Sequence, residues 1–326
     1  MEIVKAEILW TRVCSLKCPY CAMADGRKNS LSIPEWHRGL DELKKLGCGF
    51  AAFYGAEPLD DFDKLPSVVG YAESIGIHTT VITSGVTKNF REKIFTLWEN
   101  GAKSLSMSYD IIPDKKTNRA IPGLREFVSF GEIRDIAAIT TLTRKNYMGL
   151  ISSVKEMFKL GIWTFFDFVH PDRGQPGSKC RNFDGIKDLL FTQHDIIPLL
   201  FELNEILDMK NRGFFVHTSK EFIRRVSNNG GQHILNYDWN CARESGFPAW
   251  VTVDCDGIVY PCDDFQPKYP YNPIIITEMH ERWEEFQQYW QPIVAKQCPG
   301  CCWNTHLDAH FIKQGSLPFS DYVHTG

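Results

Sequence analysis

The first two-thirds of the chain alternates short β-rich runs with amphipathic helical stretches, and this rhythm constrains the fold more than any other feature. Candidate strands cover residues 6–10, 50–54, 79–83, 104–108, 137–142 and 163–169, and helical periodicity covers 34–46, 62–75, 90–100, 124–130, 147–160 and 196–210. Such alternation predicts parallel strands joined by right-handed crossovers. Six βα units are too few for the usual eight-fold barrel and suit an α/β fold of the open, partial (β/α)6 TIM-like kind. In such architectures the ligand sits at the carboxyl ends of the strands, so motifs at those ends are the candidates for chemistry.

From about Phe214 the sequence turns polar, aromatic and Cys-rich, with no long periodic helix until 277–291. The stretch 250–262 reads as a hairpin, with VTV before the turn, IVY after it and Asp256-Gly257 as turn residues. The composition shift predicts a large domain over 1–213 and a small Cys-rich domain over 214–326; 326 residues at 43% hydrophobic content supply cores for both. No apolar run approaches a membrane span and the N-terminus shows no signal-peptide pattern, so the expected compartment is the cytoplasm, with no membrane partner. Eleven cysteines in a reducing compartment point to metal rather than disulfides, and they fall in an early and a late group. A formal charge of -4 excludes a global electrostatic grip on nucleic acid. Lys115-Lys116 and Arg224-Arg225 read as solvated surface charge.

Cys14, Cys18 and Cys21, in VCSLKCPYC, form a C-x-x-x-C-x-x-C triad directly after the first strand. Three thiolates are one too few for a closed tetrahedral site, so a cluster bound here keeps one metal atom open. A zinc knuckle or unligated thiols are the alternatives, although structural zinc prefers paired C-x-x-C units. The pattern resembles the radical S-adenosylmethionine (SAM) enzymes. That resemblance implies a 4Fe-4S cluster on the three thiolates, with its fourth iron chelated by the amino and carboxyl groups of SAM. Tyr20, an aromatic just before the last cysteine, also fits the family.

Later strand ends carry further likenesses. Gly55-Ala56-Glu57-Pro58 is similar to the family's GGEP motif with alanine for its second glycine; the resemblance implies a turn that presents backbone groups to the SAM amino group, which needs close backbone approach. Thr83-Ser84-Gly85 resembles TNG, and the Ser84 hydroxyl retains the capacity to donate and accept. Ser108-Tyr109-Asp110 resembles an S-x-D whose polar groups face ribose hydroxyls or substrate, the alternative for Asp110 being a turn cap. The fifth strand ends in a run that resembles a T-x-T-x-x-N ending common in the family, which implies Thr143 and Asn146 at the cofactor, with helix capping as the other role for Asn146. After the sixth strand, a loop with His170, Asp172, Arg173, Gln175, Ser178 and Lys179 is the expected substrate loop, against a solvated connection. Cys180 is a candidate hydrogen-atom donor, as in some epimerases of the superfamily, or an uninvolved thiol.

Late in the chain, Cys241, Cys262, Cys298 and Cys301 resemble the twitch domain, a shortened SPASM domain, which implies a second, auxiliary 4Fe-4S cluster. Four thiolates close such a cluster, leaving electron transfer or folding as its role. A zinc ribbon is the alternative. Cys255 and Cys302 compete with Cys262 and Cys301 as ligands, and Cys48 reads as a buried apolar residue.

The activity implied by the resemblance is reductive cleavage of SAM, with an electron donor such as flavodoxin or ferredoxin. The resulting 5'-deoxyadenosyl radical abstracts a hydrogen atom, leading to isomerisation, oxidation or epimerisation. The protein's part is to orient one carbon-hydrogen bond and exclude other donors. Only thirteen residues precede Cys14. The N-terminal peptide-binding domain of many SPASM enzymes is thus not expected, which favours a small molecule, a nucleotide or a modified DNA base, including the substrates of phage-type thymine-adduct isomerases. Maturation of a ribosomally synthesised peptide is the alternative. A non-catalytic iron-sulfur or zinc protein, a reading of another class, predicts no SAM cleavage.

Overall fold

The protein is represented by a computed structural model that describes residues 2–18, 20–21, 23–109, 135–170, 186–237, 239–263, 273–298 and 300–322. Its strands are β1 (Lys5–Thr11), β2 (Phe50–Gly55), β3 (His78–Thr83), β4 (Ser104–Ser108), β5 (Asp135–Leu142), β6 (Trp163–Phe168), β7 (Trp250–Val253) and β8 (Val259–Tyr260). They form one sheet in the order β6-β5-β4-β3-β2-β1-β7-β8. Strands β1 to β6 pair in parallel in chain order, as the βα rhythm predicts, and the sheet does not close on itself.

The helices of the first part are α1 (Ile33–Lys45), α2 (Leu65–Ser74), α3 (Phe90–Glu99), α4 (Leu150–Lys159) and α5 (Gln193–Asn211). Each falls where periodicity placed it, and the expected helix at 124–130 lies outside the described residues. Local chemistry explains the first of them. Ser32 and Glu35 form a reciprocal capping box, Pro34 sits in the first turn, and Trp36, Leu40 and Leu43 are buried. Beneath it, the outward residues Ala6, Ile8 and Trp10 of β1 are fully buried, and the Trp10 ring lies 5.3 Å from Trp36 and 6.0 Å from Phe53. The inward residues Lys5 and Glu7 are buried too, but they are charged. This alternation gives β1 an apolar helix-facing side and a polar interior side.

Beyond residue 213 the chain forms α6 (Lys220–Asn228), α7 (Gln232–Asn236), α8 (Cys241–Ser245), α9 (Trp283–Gln297), α10 (Asn304–Lys313) and α11 (Phe319–Tyr322). Helix α6 was not expected; Ser219 caps it and Phe222, Ile223 and Val226 supply a short buried stripe. The helix expected at 277–291 instead begins at Trp283 and runs through Pro292 to Gln297. The hairpin at 250–262 is present as antiparallel β7 and β8. Its first strand pairs in parallel with β1, Lys5 opposite Trp250 through Ile8 opposite Val253, so the sheet crosses the boundary expected near residue 213. No helix among the described residues is long and apolar enough to cross a membrane.

Candidate active site

A register shift between Leu9 and Thr11 bends the end of β1 as it enters the triad loop. The loop closes on itself through Arg12 N–H to Arg27 O (2.8 Å) and Gly26 N–H to Arg12 O (2.9 Å). Within it, Leu16 N–H donates to Cys14 Sγ (3.3 Å) and Cys21 N–H to the Cys18 carbonyl (3.1 Å). Burial first, then the charge of Glu57 and of the other two thiols, pushes the Cys14 thiol up to about 11 against the Leu16 bond. Three thiols on one short loop, two of them near enough to act on the charge of Cys14, suit a polynuclear metal centre, which deprotonates its thiol ligands outright. The donor set fits a cluster with one open metal position.

The Gly55-Ala56-Glu57-Pro58 turn is fastened to this loop by Ala56 N–H to Thr11 O (3.0 Å) and Glu57 N–H to Val13 O (2.9 Å). Gly55 has φ +128, and a side chain there would run into the Thr11 carbonyl. Ala56, by contrast, is not among the positive-φ residues, so alanine is accommodated where the motif has glycine. Glu57 is buried at the centre of the constellation. One of its oxygens accepts from Thr83 Oγ1 (2.6 Å) and Leu59 N–H (3.2 Å), the other from Ser84 N–H (2.8 Å) and Ser84 Oγ (2.5 Å). Burial raises its pKa, and the four donors offset part of that. The Glu57 side chain thus joins the two turns. Pro58, also buried, opens the short 3-10 turn that follows.

Ser108 lines the interior, while the Tyr109 hydroxyl turns outward to Glu156 (3.2 Å). Thr143 and Asn146 are buried and bonded to each other: Asn146 Oδ1 accepts from Thr143 N–H (2.7 Å) and Oγ1 (3.1 Å), and its Nδ2 donates to Thr141 O (3.0 Å). They shape the end of β5, and the Asn146 side chain does not cap the turn after it. His170 is buried, stacked near Trp303 (5.9 Å) and edge-on to Tyr237 (5.1 Å). Asp110, Asp172, Arg173, Gln175, Ser178, Lys179 and Cys180 lie outside the described residues.

The strands enclose a cavity of about 790 Å³. Tyr20, Cys21 and Gly55 line its triad end, and Ser106, Ser108 and Thr141 line its wall. It also exposes residues that sequence reasoning missed: Lys5, Glu7, Tyr54, Asp167, Asp263 and His306. Lys5 Nζ donates to Glu7 Oε1 (2.6 Å), His306 Nε2 stands 3.2 Å from Glu7 Oε2, and Tyr54 OH donates to Asp263 Oδ2 (2.9 Å). Burial alone would raise the Glu7 carboxyl, but Lys5 and His306 outweigh it and hold it well below the ordinary carboxylate range. Charged residues alternating inside an otherwise apolar first strand were the available signal. Asp167 takes the Asn304 N–H at the start of α10 on both oxygens (3.1 and 3.0 Å), and burial raises its pKa well above the usual value.

Of the late cysteines, Cys241, Cys298, Cys301 and Cys302 share a neighbourhood. Asn240 caps α8 by accepting from Ala242 and Arg243 N–H (3.1 Å each), and its Nδ2 donates to Cys298 O (3.2 Å). Cys301 N–H donates to Trp239 O (2.9 Å), and Gly300, at φ +96, leaves no room for a side chain against the Tyr237 and Trp239 carbonyls. Burial and then the charges of Cys298, Cys241 and Cys302 raise the Cys301 thiol well above its usual value. The Cys262 Sγ stands 3.7 Å from Asp263 Oδ1. Cys255 is buried in the β7–β8 turn, where burial and Asp254 push it up to about 12, and Cys48 is buried with its thiol on Phe50 O (3.2 Å). No disulfide joins the ten described cysteines.

Arg12 ties the two cysteine-bearing regions together. Its Nε and Nη2 bind Asp254 Oδ1 (2.9 Å) and Oδ2 (3.0 Å), and Arg27 Nη2 adds a second bond to Oδ2 (3.0 Å).

Fold, triad and strand-end turns define a radical SAM enzyme: residues 8–169 match the radical SAM superfamily, and the chain belongs to it. It is similar to the PqqA peptide cyclase of Rhodopseudomonas palustris, 34% identical over 102 residues, which are 30% of this chain and 26% of that protein. The chain thus matches about a quarter of that relative's length. Streptococcus suis SuiB bound to S-adenosylmethionine shares the fold at TM-score 0.68 and 16% identity, over 95% of this chain and 74% of SuiB. The anSMEcpe structure with bound AdoMet and Cp18Cys peptide shares it at TM-score 0.58 and 14% identity, over 98% and 96%.

Proposed function

We propose that this chain is a peptide-modifying radical SAM enzyme. A 4Fe-4S cluster on Cys14, Cys18 and Cys21, with SAM on its open iron, would supply the 5'-deoxyadenosyl radical. The chain's own share is positional. Gly55, Ala56 and Glu57 bring backbone close to the triad, Glu57 holds Ser84 against that turn, and the cavity keeps water and stray hydrogen donors from the reacting carbon. Its polar wall orients a substrate with several hydrogen-bonding groups, which suits a peptide segment. Cys241, Cys298 and Cys301, with a fourth thiol from Cys262 or Cys302, are the proposed holders of an auxiliary cluster, and described cysteines without disulfides fit a reducing, cytoplasmic setting.

The observation that carries this reading is the meeting of the triad loop, the Glu57 turn and the Ser84 turn beside a cavity of about 790 Å³ that Tyr20, Cys21 and Gly55 line. Its peptide part draws on the sequence likeness to a peptide cyclase. That likeness favours a peptide over the small molecule, nucleotide or base that the sequence alone favoured. The test is anaerobic reconstitution followed by SAM and dithionite, with 5'-deoxyadenosine and peptide mass read by mass spectrometry. Product should form and be lost in Cys14→Ala; none at full cluster loading would overturn the enzyme reading and favour a non-catalytic metalloprotein. A peptide that loses hydrogens in step with SAM cleavage would identify the substrate class, whereas turnover confined to nucleotides would reverse the peptide assignment.

A further inference from the structure

The cavity does not stop beneath the triad. The interior of a β/α barrel is normally filled by layers of bulky branched side chains. Here the inward positions below the strand ends include Ala52, Thr80, Ser104, Ser106 and Ala137, and the cavity continues past them to the amino-terminal ends of β3, β4 and β5. Thr80 stands opposite Ser104 and Ser104 opposite Asp135, so one layer crosses the three strands there. At about 3.3 Å per residue, the steps from Ser108 down to Ser104 put this layer about 13 Å below the carboxyl end of β4.

Asp135 is the unmatched member of that layer. It lines the cavity, its Oδ1 is buried with no hydrogen-bond partner, and among the described residues no cation pairs with it. The other charged groups of the lower section are matched. Glu73 accepts from Thr79 N–H and Oγ1 (2.7 Å each) and lies 3.4 Å from Lys103 Nζ and 3.9 Å from His78 Nδ1, while Lys5 is held by Glu7. The hydroxyls bond to one another, Ser104 Oγ donating to Thr80 Oγ1 (3.1 Å) and Ser106 Oγ standing 3.1 Å from the same atom. Burial pushes the Asp135 carboxyl up to about 6. At neutral pH it is therefore ionised at a cost to the fold. A carboxylate with that cost on the wall of a cavity is a candidate for holding a ligand.

We propose that the lower section of the cavity is a subsite for a cationic nitrogen, an ammonium or guanidinium, which pairs with Asp135 and is carried by the substrate on a stem lying along Phe50 and Phe165. Both aromatic rings line this section, and the alkyl stem of such a group covers apolar surface while its head stays with the charge. An anion would add to the unmatched charge, and a neutral group would leave it unmatched. An extended peptide spans about 13 Å in about four residues, so a cation near the reacting carbon reaches the layer. Only what carries the nitrogen, a lysine or arginine side chain or a peptide amino terminus, rests on the peptide reading.

The test is calorimetric titration of the anaerobically reconstituted full chain at neutral pH. The probes are n-hexylammonium against n-hexanol, acetylated tripeptide amides centred on lysine, arginine or norleucine, and alanine tripeptide amide with a free amino terminus. A bond to a charged group predicts that a cationic probe binds about tenfold or more tighter than its neutral counterpart, and that Asp135→Asn removes this preference. Binding of the lysine or arginine peptide would assign the nitrogen to a side chain, and binding of the free-amino peptide to a terminus. Binding of n-hexylammonium with no cationic peptide would keep the subsite and count against the peptide reading. Equal affinity for cationic and neutral probes, no binding of any probe, or an undiminished preference in Asp135→Asn would overturn the proposal; Asp135→Ser replaces the asparagine variant should that one not fold by circular dichroism. None of these measurements depends on SAM cleavage, so the enzyme reading stands or falls separately.

Discussion

Replacing Arg12 with methionine isolates the link between the triad loop and the C-terminal hairpin. Arg12 and Asp254 are both 1% exposed and meet in a two-point ion pair. Removing one partner of such a pair strands the other charge, at a cost of about 3–5 kcal/mol. Arg27 and the Cys255 N–H (2.8 Å) still reach Asp254, so the expected loss lies at the lower end, about 3 kcal/mol. Urea denaturation of the cluster-free protein measures it, and Arg12→Met combined with Asp254→Asn should recover much of the loss because no charge is left unpaired. The pH dependence follows from Asp254. Burial would raise its pKa, but the bonds and charge of Arg12 and the charge of Arg27 hold it below the ordinary 3.8. A depressed carboxylate contributes stability above its unfolded pKa and loses it as pH falls through the folded value. The difference between parent and variant should therefore be full at neutral pH and shrink in acid. A penalty below about 1 kcal/mol at neutral pH, the scale of an exposed pair, would refute the reasoning, as would one that persists unchanged in acid.

Glu57→Gln places an amide NH2 against the N–H of Ser84 or Leu59; the unpaired donor should cost about 1–3 kcal/mol in thermal or urea unfolding and weaken SAM binding measured by calorimetry, and an unchanged melt with unchanged SAM affinity would count against the joining role of Glu57. Burial pushes Asp135 up to about 6 against a bond from Ser104. The folded state therefore holds this proton longer than the unfolded chain, so stability should decline between about pH 4 and pH 6, and Asp135→Asn should remove that component from the melting profile. Asn240→Ala should cost about 1 kcal/mol through the lost cap of α8 and reduce iron retention, whereas Asn240→Asp should keep the cap and lose the bonds to Val294 O and Cys298 O; a parent-like melt in the alanine variant would contradict this.

The six parallel strands were legible to within a residue or two, because each needs an apolar side under a helix and the pattern of β1 shows it directly. The triad and the Gly55 turn were legible for a related reason: a strand end and a backbone approach leave few residue choices. Helix α6 was missed although Ser219 and the Phe222, Ile223 and Val226 spacing announced it, the polar residues around it having masked a short stripe. The end of α9 was misplaced because Pro292 invites an early stop, which the helix does not make, and its start because Ile276–Glu278 forms a separate 3-10 turn. Pairings across long separations left no local trace. Nothing near Arg12 points to Asp254, and nothing near Glu7 points to His306, since those contacts arise only once β7 and α10 come to lie against β1.

The parallel pairing of β1 with β7 has a consequence for electron traffic. The strand that delivers Cys14 and the hairpin that delivers Cys262 are adjacent rungs of one hydrogen-bonded ladder, bolted a second time by Arg12 and Asp254. A redox group held by the late cysteines would not ride on a hinged lobe that swings toward the triad and away again. Tunnelling rates fall steeply with distance, and the ladder and the ion pair would help to hold that distance fixed. Control over when an electron moves would then rest with the occupant of the cavity and the loops at the strand ends.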